Sequence, residues 1–177
     1  LRIYRRLLAR FARLRLVIVP RHPQRFDEVA RTIEDSRLPL VRTSRVAEQP
    51  PPSNTPLPPV VLVDAMGVLR DFYAVADVVF VGGGLAPLGG HNLIEAIAAG
   101  KPTLVGPHMF NFAEATANAL AAGAAVEVAD ANALVTTAAS LLRDPARRAS
   151  MQAAALAFHA AHSGAADRLW AWLAPQL

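Results

Sequence analysis

Short apolar runs alternate with segments of helical periodicity along most of this chain. Such alternation is typical of a parallel sheet whose strands are joined by helices packed on its faces. After residue 59 it predicts four strands, at residues 60–63, 78–81, 103–105 and 125–128. Helices are predicted to follow them, at residues 68–76, 92–99, 112–122, 132–142, 145–159 and 165–173. We therefore predict an α/β fold with a doubly wound, Rossmann-like parallel sheet, which binds ligands at the carboxyl ends of its strands.

The first 59 residues carry the same pattern with one interruption. Helices are predicted at residues 1–13 and 24–36, and strands at residues 16–19 and 40–41. The proline-rich residues 49–59 cannot form a helix. We interpret them as an exposed loop within one domain that covers residues 1–177; a linker between two domains is the alternative. Because Leu1 is not Met and no cap precedes the first helix, we expect the natural protein to be longer.

Positive charge is concentrated near the amino end. Residues 1–50 contain twelve arginines and five acidic residues, a net charge of +7, whereas residues 51–177 have a net charge of −3. The basic part fits an anionic substrate, anionic lipid or nucleic acid, or a solvated helix face. Aromatic residues do not alternate with the arginines, so a surface for single-stranded nucleic acid is not expected. The absence of cysteine excludes disulfides and thiolate chemistry. No apolar run reaches the roughly 18 residues of a membrane-spanning helix.

Two groups of glycines precede a polar helix start. The first group, Gly82–Gly84, follows a predicted strand, and the second, Gly89 and Gly90, comes just before the helix. Glycine lets the backbone approach a ligand closely, and a helix start presents free N–H groups to an anion. The pattern predicts a nucleotide or phosphosugar pocket. Its candidate lining residues here are Gly83, Gly84, Gly90 and His91.

Two common nucleotide motifs are absent from this stretch. Pro87 occupies the third glycine position of a dinucleotide fingerprint, and no phosphate-binding loop ending in Gly-Lys-Ser or Gly-Lys-Thr is present. A simpler interpretation is a capping box, in which Asn92 caps the helix and Glu95 reaches back to it. Glu95 could also accept hydrogen bonds from the two hydroxyls of a ribose.

Polar residues also follow two other predicted strands. Arg21 and His22 come directly after the first strand, where an arginine can bind a phosphate or carboxylate and His22 is a candidate for lining the pocket. The alternative is a surface arginine and a histidine that caps a turn. Residues 106–112 place His108 and Asn111 among aromatics, which is typical of the lip of a pocket. They could equally be a loop that packs its phenylalanines into the core. No metal-binding triad is recognisable.

Six segments resemble the bacterial 3-deoxy-D-manno-octulosonic acid (Kdo) transferases. They are PRHPQRF at residues 20–26, DAMG at 64–67, YAVAD at 73–77, FVGG at 80–83, GGHN at 89–92 with Glu95, and GPHMFNF at 106–112. The resemblance implies a two-domain GT-B glycosyltransferase of lipopolysaccharide biosynthesis at the cytoplasmic face of the bacterial inner membrane. Its amino-terminal domain would bind the lipid A precursor and carry a glutamate as general base. Its carboxyl-terminal domain, to which this chain corresponds, would bind the donor CMP-Kdo.

The resemblance also implies roles for particular residues. Pro20 and Arg21 would lie near the phosphate of CMP, and the backbone of Met66, Gly67 and Val68 would line the nucleotide. The ribose and phosphate would be held by Asn92, Leu93, Ile94 and Glu95. The family usually has Glu at the position of Val68 and often Pro at the position of Leu93. No metal and no nucleic acid would take part, the chain would contain no catalytic residue, and alone it would be inactive.

Two other functions fit the same residues. One is another GT-B transferase or a sugar-nucleotide epimerase that uses a UDP-sugar, since these enzymes also place a Glu after a glycine-rich turn. The other is a nucleotide-binding module without catalysis.

Overall fold

The computed structural model describes residues 1–48 and 60–174, and the chain divides into two compact units, Leu1–Val75 and Ala76–Leu177. Each unit contains a parallel sheet of three strands. The predicted α/β class with parallel strands is therefore confirmed. The described strands form two such sheets, whereas the sequence predicted one.

The first unit is built around a central strand that pairs with a neighbour on each side. Its elements are α1 (Arg2–Leu8), β1 (Leu16–Ile18), a short 3-10 helix (Pro23–Arg25), α2 (Phe26–Asp35), β2 (Leu40–Arg42), α3 (Thr43–Glu48), β3 (Val60–Leu62) and α4 (Leu69–Val75). The strand order is β1-β3-β2. The core is formed by Tyr4, Ala30, Ile33, Val60 and Leu62, so it joins α1, α2 and β3.

Two helices of this unit differ from the prediction. α1 ends at Leu8, five residues earlier than predicted. The chain then turns back, and the Tyr4 hydroxyl donates a hydrogen bond to the Leu14 carbonyl at 3.0 Å. α3 was not predicted, and it follows β2 without a loop. The predicted loop at residues 49–59 lies outside the described residues.

The second unit has β5 at the centre of its sheet, in the order β4-β5-β6. Its elements are β4 (Val79–Phe80), α5 (Ile94–Ala98), β5 (Thr103–Val105), a 3-10 helix (Phe110–Phe112), α6 (Ala113–Ala121), β6 (Ala125–Glu127), α7 (Ala131–Arg143), α8 (Pro145–His162) and α9 (Ala165–Leu173). All three residues of β5 are buried. The core includes Leu93, which lies just before α5, and Ile97 within α5. It also includes Ala155 and Phe158 of α8.

All the helices predicted in this unit are present; α9 has the predicted bounds, and the others have shifted ends. The largest functional consequence is at α5, which begins at Ile94 rather than at residue 92 and is five residues long. Within residues 1–48 and 60–174, no helix is both long enough and apolar enough to cross a membrane.

Candidate functional site

The predicted site residues fall into two groups, one in each unit, and each group is described by itself. In the first unit, Arg21 and His22 are exposed and follow β1 after a half-buried Pro20. The His22 carbonyl accepts a hydrogen bond from the Arg25 backbone at 3.0 Å and so begins the short 3-10 helix. The interpretation of His22 as the start of a turn is therefore correct for its backbone, while its side chain stays open to solvent.

The other part of this group is an exposed turn at residues 65–68, between β3 and α4. Met66 is 64% exposed. Gly67 has a φ of +81°, and a Cβ placed on it would have no atom within 4 Å. The space beside Gly67 is therefore open, and a side chain at position 67 would be strained by its conformation and not by crowding.

A buried carboxylate lies at the base of this turn. The side chain of Asp64 is 1% exposed. It accepts hydrogen bonds from Arg42 Nε at 2.6 Å, Ser44 Oγ at 2.6 Å, Ser44 N at 2.8 Å and Thr43 Oγ1 at 3.0 Å. The backbone N–H of Asp64 donates to Thr43 Oγ1 at 3.2 Å. Asp64 therefore joins the end of β3 to the start of α3 through both its backbone and its side chain.

Two opposing effects act on the pKa of Asp64. Burial raises it, but the hydrogen bonds from Ser44, Arg42 and Thr43 lower it more, so the pKa lies well below its usual value. The hydrogen bonds of Arg42 to Asp64 and to Asp27, the latter at 2.7 Å, raise the pKa of the guanidinium. Asp64 is part of the DAMG segment, but no role was predicted for it. The signal available was an acidic residue directly after a buried strand.

In the second unit, the glycines bring segments of backbone together. Gly83 O accepts from Gly90 N at 3.1 Å, and Gly82 O accepts from His91 N at 3.2 Å, so the loop closes on itself. A Cβ on Gly84 would meet the Met109 sulfur at 2.8 Å, and one on Gly90 would also clash with that sulfur. The space beside these glycines is therefore filled by the protein. Any contact that Gly83, Gly84 or Gly90 makes with a ligand would use backbone atoms.

The start of α5 presents three exposed polar side chains, His91, Asn92 and Glu95. Asn92 Oδ1 accepts from the Ile94 N–H at 2.9 Å, and Asn92 Nδ2 lies 3.4 Å from Glu95 Oε1. The predicted capping box is therefore wrong: the N-cap of α5 is Leu93 and not Asn92, and Glu95 meets the side chain of Asn92 and not its backbone. One N–H that was expected to be free for an anion, that of Ile94, is already bonded to Asn92.

Two residues of this segment cannot offer their full side chains to a ligand. Leu93 is 0% exposed and belongs to the core, and Ile94 is half-buried against it. Their contribution to a site would come from the backbone.

Some side chains of residues 106–112 lie in the core, and others are exposed to solvent. Met109 is buried and Phe112 packs against the core, whereas His108, Phe110 and Asn111 are exposed. The backbone N–H of His108 donates to Gly84 O at 2.9 Å, and that of Asn111 donates to Gly89 O at 3.0 Å. The interpretation as a packed loop is correct for Phe112 and wrong for Phe110, and the interpretation as the lip of a pocket stays a prediction. Across the described part of the chain, no three His, Asp or Glu side chains are grouped as metal ligands would be.

A model of a known protein family covers more than half of the chain. The family is the glycosyl transferases group 1, and it matches residues 62–157. The chain belongs to this family. The matched region includes the glycine loop (residues 82–90), the exposed turn at residues 65–68 and the polar start of α5.

Proteins of similar sequence include Kdo transferases. The chain is 48% identical over 153 residues to the 3-deoxy-D-manno-octulosonic acid transferase of Bordetella pertussis, covering 86% of this chain and 35% of that protein. It is 41% identical over 114 residues to the Haemophilus influenzae enzyme of the same name, covering 64% of this chain and 26% of that protein. The chain therefore spans about a third of the length of these relatives or less.

A solved structure has the same fold. It is the C-terminal CMP-Kdo binding domain of WaaA from Acinetobacter baumannii, with a TM-score of 0.80 and 33% sequence identity. The match covers 89% of this chain and 79% of that domain. The predicted resemblance to the Kdo transferases, and to their carboxyl-terminal half, is confirmed.

Proposed function

We propose that this chain is the donor domain of a Kdo transferase and binds CMP-Kdo, from which Kdo passes to a lipid A precursor in lipopolysaccharide biosynthesis. The observation that carries the proposal is the structural match to the Acinetobacter baumannii domain, which is described as binding CMP-Kdo. Identity of 33% over most of both domains supports the transfer of that ligand class to this chain.

In the first unit, we propose that Pro20 and Arg21 contact the phosphate and that the backbone of Met66, Gly67 and Val68 contacts the nucleotide. The exposed guanidinium of Arg21 can bind two phosphate oxygens. The turn at residues 65–68 supports a backbone contact, because residues 65–67 are exposed and the space beside Gly67 is open. A backbone contact also makes Val68 compatible with the role, although the family usually has Glu there.

In the second unit, we propose that Asn92 to Glu95 hold the ribose and phosphate. The exposed carboxylate of Glu95 can accept hydrogen bonds from two neighbouring hydroxyls, and Asn92 Nδ2 lies 3.4 Å from it. Leu93 and Ile94 would contribute peptide groups, as their side chains pack in the core. Exposed His91 and His108 are candidates for lining the same pocket.

The chemistry follows from the donor. CMP carries a single phosphate, on which charge grows as it leaves Kdo. An arginine already aimed at that phosphate would stabilise the developing charge. Accordingly, we propose that no metal is required. We propose that the base for the acceptor hydroxyl comes from an amino-terminal domain, so that the chain alone binds the donor without turnover.

The partners and location follow the same reasoning. The lipid A precursor would be bound by the amino-terminal domain, and the enzyme would be peripheral to or anchored at the cytoplasmic face of the inner membrane. The net charge of +7 in residues 1–50 supports a position beside an anionic surface. Nucleic acid is not a proposed partner.

Calorimetry with CMP and UDP tests the proposal. The 177-residue chain should bind CMP at least about tenfold more tightly than UDP, a difference of about 1.4 kcal/mol. Tighter binding of UDP would favour a UDP-sugar enzyme instead. Equal, weak binding of both would favour a nucleotide module without this donor specificity.

A further inference from the structure

The residue just before the exposed turn at residues 65–68 is held by several hydrogen bonds. Asp64 is bonded to Arg42, Thr43 and Ser44 through its carboxylate, and to Thr43 through its backbone N–H. Two residues later, Met66 is 64% exposed. Asp64 therefore fixes one end of the turn, and α4 begins directly after its other end, at Leu69.

The hydrogen bonds to Asp64 are not needed for the pairing of β2 with β3. β2 and β3 are already joined in parallel register, with Arg42 opposite Leu62. Burying a carboxylate there costs free energy unless several donors satisfy it. The donors come from three consecutive residues, 42–44, so the carboxylate can be fully bonded in only one arrangement of the strand end. Such a group specifies a conformation more than it adds stability.

We propose that Asp64, held by Arg42, Thr43 and Ser44, is a positioning residue that presets the backbone of residues 65–68 for contact with the nucleotide of the donor. The inference rests on the proposed function, because it assigns that turn to donor binding. Asp64 itself touches no ligand in this scheme, and it acts through the peptide groups of Met66, Gly67 and Val68.

The expected effect follows from the entropy of the turn. A contact made by backbone atoms is strong only if the backbone is ordered before binding. Freeing about one residue of the turn corresponds to roughly a tenfold loss of affinity. Asp64→Asn keeps the shape of the side chain but removes its charge, so we expect it to weaken CMP binding about tenfold. Ser44→Ala should weaken binding by a smaller factor.

The experiment compares CMP affinity and amide hydrogen exchange in four variants of the 177-residue chain. Ser44→Thr retains the hydroxyl and should restore the affinity that Ser44→Ala loses. Ile33→Val is the matched control, since Ile33 is buried in the core of the same unit and touches neither Asp64 nor the turn through any described hydrogen bond. Without ligand, Asp64→Asn should speed exchange at residues 65–68, whereas Ile33→Val should not.

The outcomes separate the two proposals. If the wild-type chain does not bind CMP, the proposed function fails and this inference fails with it. If the wild type binds CMP and Asp64→Asn binds equally well, only the inference fails. It also fails if Ile33→Val weakens binding as much as Asp64→Asn, because the effect would then reflect stability alone. Should Asp64→Asn not fold, the comparison of Ser44→Ala with Ser44→Thr decides the question.

Discussion

At the scale of the residue, the charge state of Asp64 links the fold to pH. Its folded pKa lies below that of an unfolded aspartate, which is about 3.9. A group of this kind stabilises the folded state above its unfolded pKa, and the contribution is lost as the pH falls towards the folded pKa. The stabilisation by Asp64 should thus be complete at neutral pH and should decline below about pH 4.

We predict that Asp64→Asn lowers the free energy of unfolding by about 2–4 kcal/mol at pH 7, because it leaves Arg42 without its buried partner. Denaturant unfolding at several pH values between 2 and 7 would measure the difference from wild type. The difference should shrink below about pH 4. Carboxylates that both proteins share contribute equally to their unfolding free energies and cancel in the difference. An equal difference between wild type and Asp64→Asn at pH 3 and at pH 6 would therefore contradict the low pKa assigned to Asp64.

A second residue-scale prediction concerns Glu95. Replacing it with alanine should weaken CMP binding by about 1–3 kcal/mol, as expected for a lost charged hydrogen bond. Calorimetry is the direct measurement. Glu114→Ala provides a matched control, because Glu114 is also an exposed acid in the first turn of a helix in the same unit. Loss of affinity in both variants would indicate a general effect of charge and would remove Glu95 from the proposed site.

The sequence could suggest exposed candidate site residues but not the buried hydrogen bonds of Asp64. Arg21 and Glu95 follow recognisable local signals, a strand end and a glycine-rich turn. The partners of Asp64 lie about 20 residues away in sequence. They meet Asp64 only because β2 and β3 pair in a particular register. Register is a long-range property, so no local pattern could have predicted this cluster.

At the scale of the element, tertiary contacts decide where helices begin and end. Helical periodicity continues past Leu8, yet α1 stops there and the Tyr4 hydroxyl binds the carbonyl of Leu14. α5 begins at Ile94, shortly after Gly90 and His91, whose N–H groups bond to the carbonyls of Gly83 and Gly82. Contacts outside the local sequence thus lie beside both shifted helix ends, which helix propensity alone does not predict.

The glycine loop yields an element-scale prediction. A Cβ on Gly106 would collide with the backbone of Gly84, whereas a Cβ on Gly82 would make an ordinary contact with His91 Cδ2 at 3.8 Å. We expect Gly106→Ala to lower the free energy of unfolding by at least about 1–3 kcal/mol, because two backbone segments must separate. Gly82→Ala should have a much smaller effect. Thermal unfolding of both would test this, and equal stabilities would contradict the close packing.

The N-terminal cap of α7 leads to a second prediction at this scale. Asp130 accepts hydrogen bonds from the N–H groups of Asn132 and Ala133, at 2.7 and 2.8 Å. Asp130→Ala should cost about 0.5–2 kcal/mol of stability, and Asp130→Asn should cost little, since asparagine caps almost as well. Chemical denaturation would measure both. If the asparagine variant is as unstable as the alanine variant, loss of charge and not loss of the cap explains the result.

At the scale of the whole molecule, the alternation of strands and helices was sufficient to predict the α/β class. It was not sufficient to predict how the strands group. The described strands are only two or three residues long and pair in two sets of three. Pairing depends on contacts between distant segments, and a strand of two residues such as β4 carries too few side chains to specify its neighbour.

The last prediction concerns turnover, which tests whether the chain needs a partner domain. Replacing the matching region of the Bordetella pertussis transferase with this chain is feasible because the two are 48% identical over 153 residues. We expect the chimera to transfer Kdo from CMP-Kdo to a lipid A precursor, and the chain alone to bind CMP without transfer. The reason is that a base must deprotonate the acceptor, and we assign that base to the amino-terminal domain. Chromatographic detection of the product would measure transfer. Transfer by the chain alone would contradict the missing base, and a folded chimera that binds CMP but transfers nothing would contradict the assignment of this chain as a donor domain.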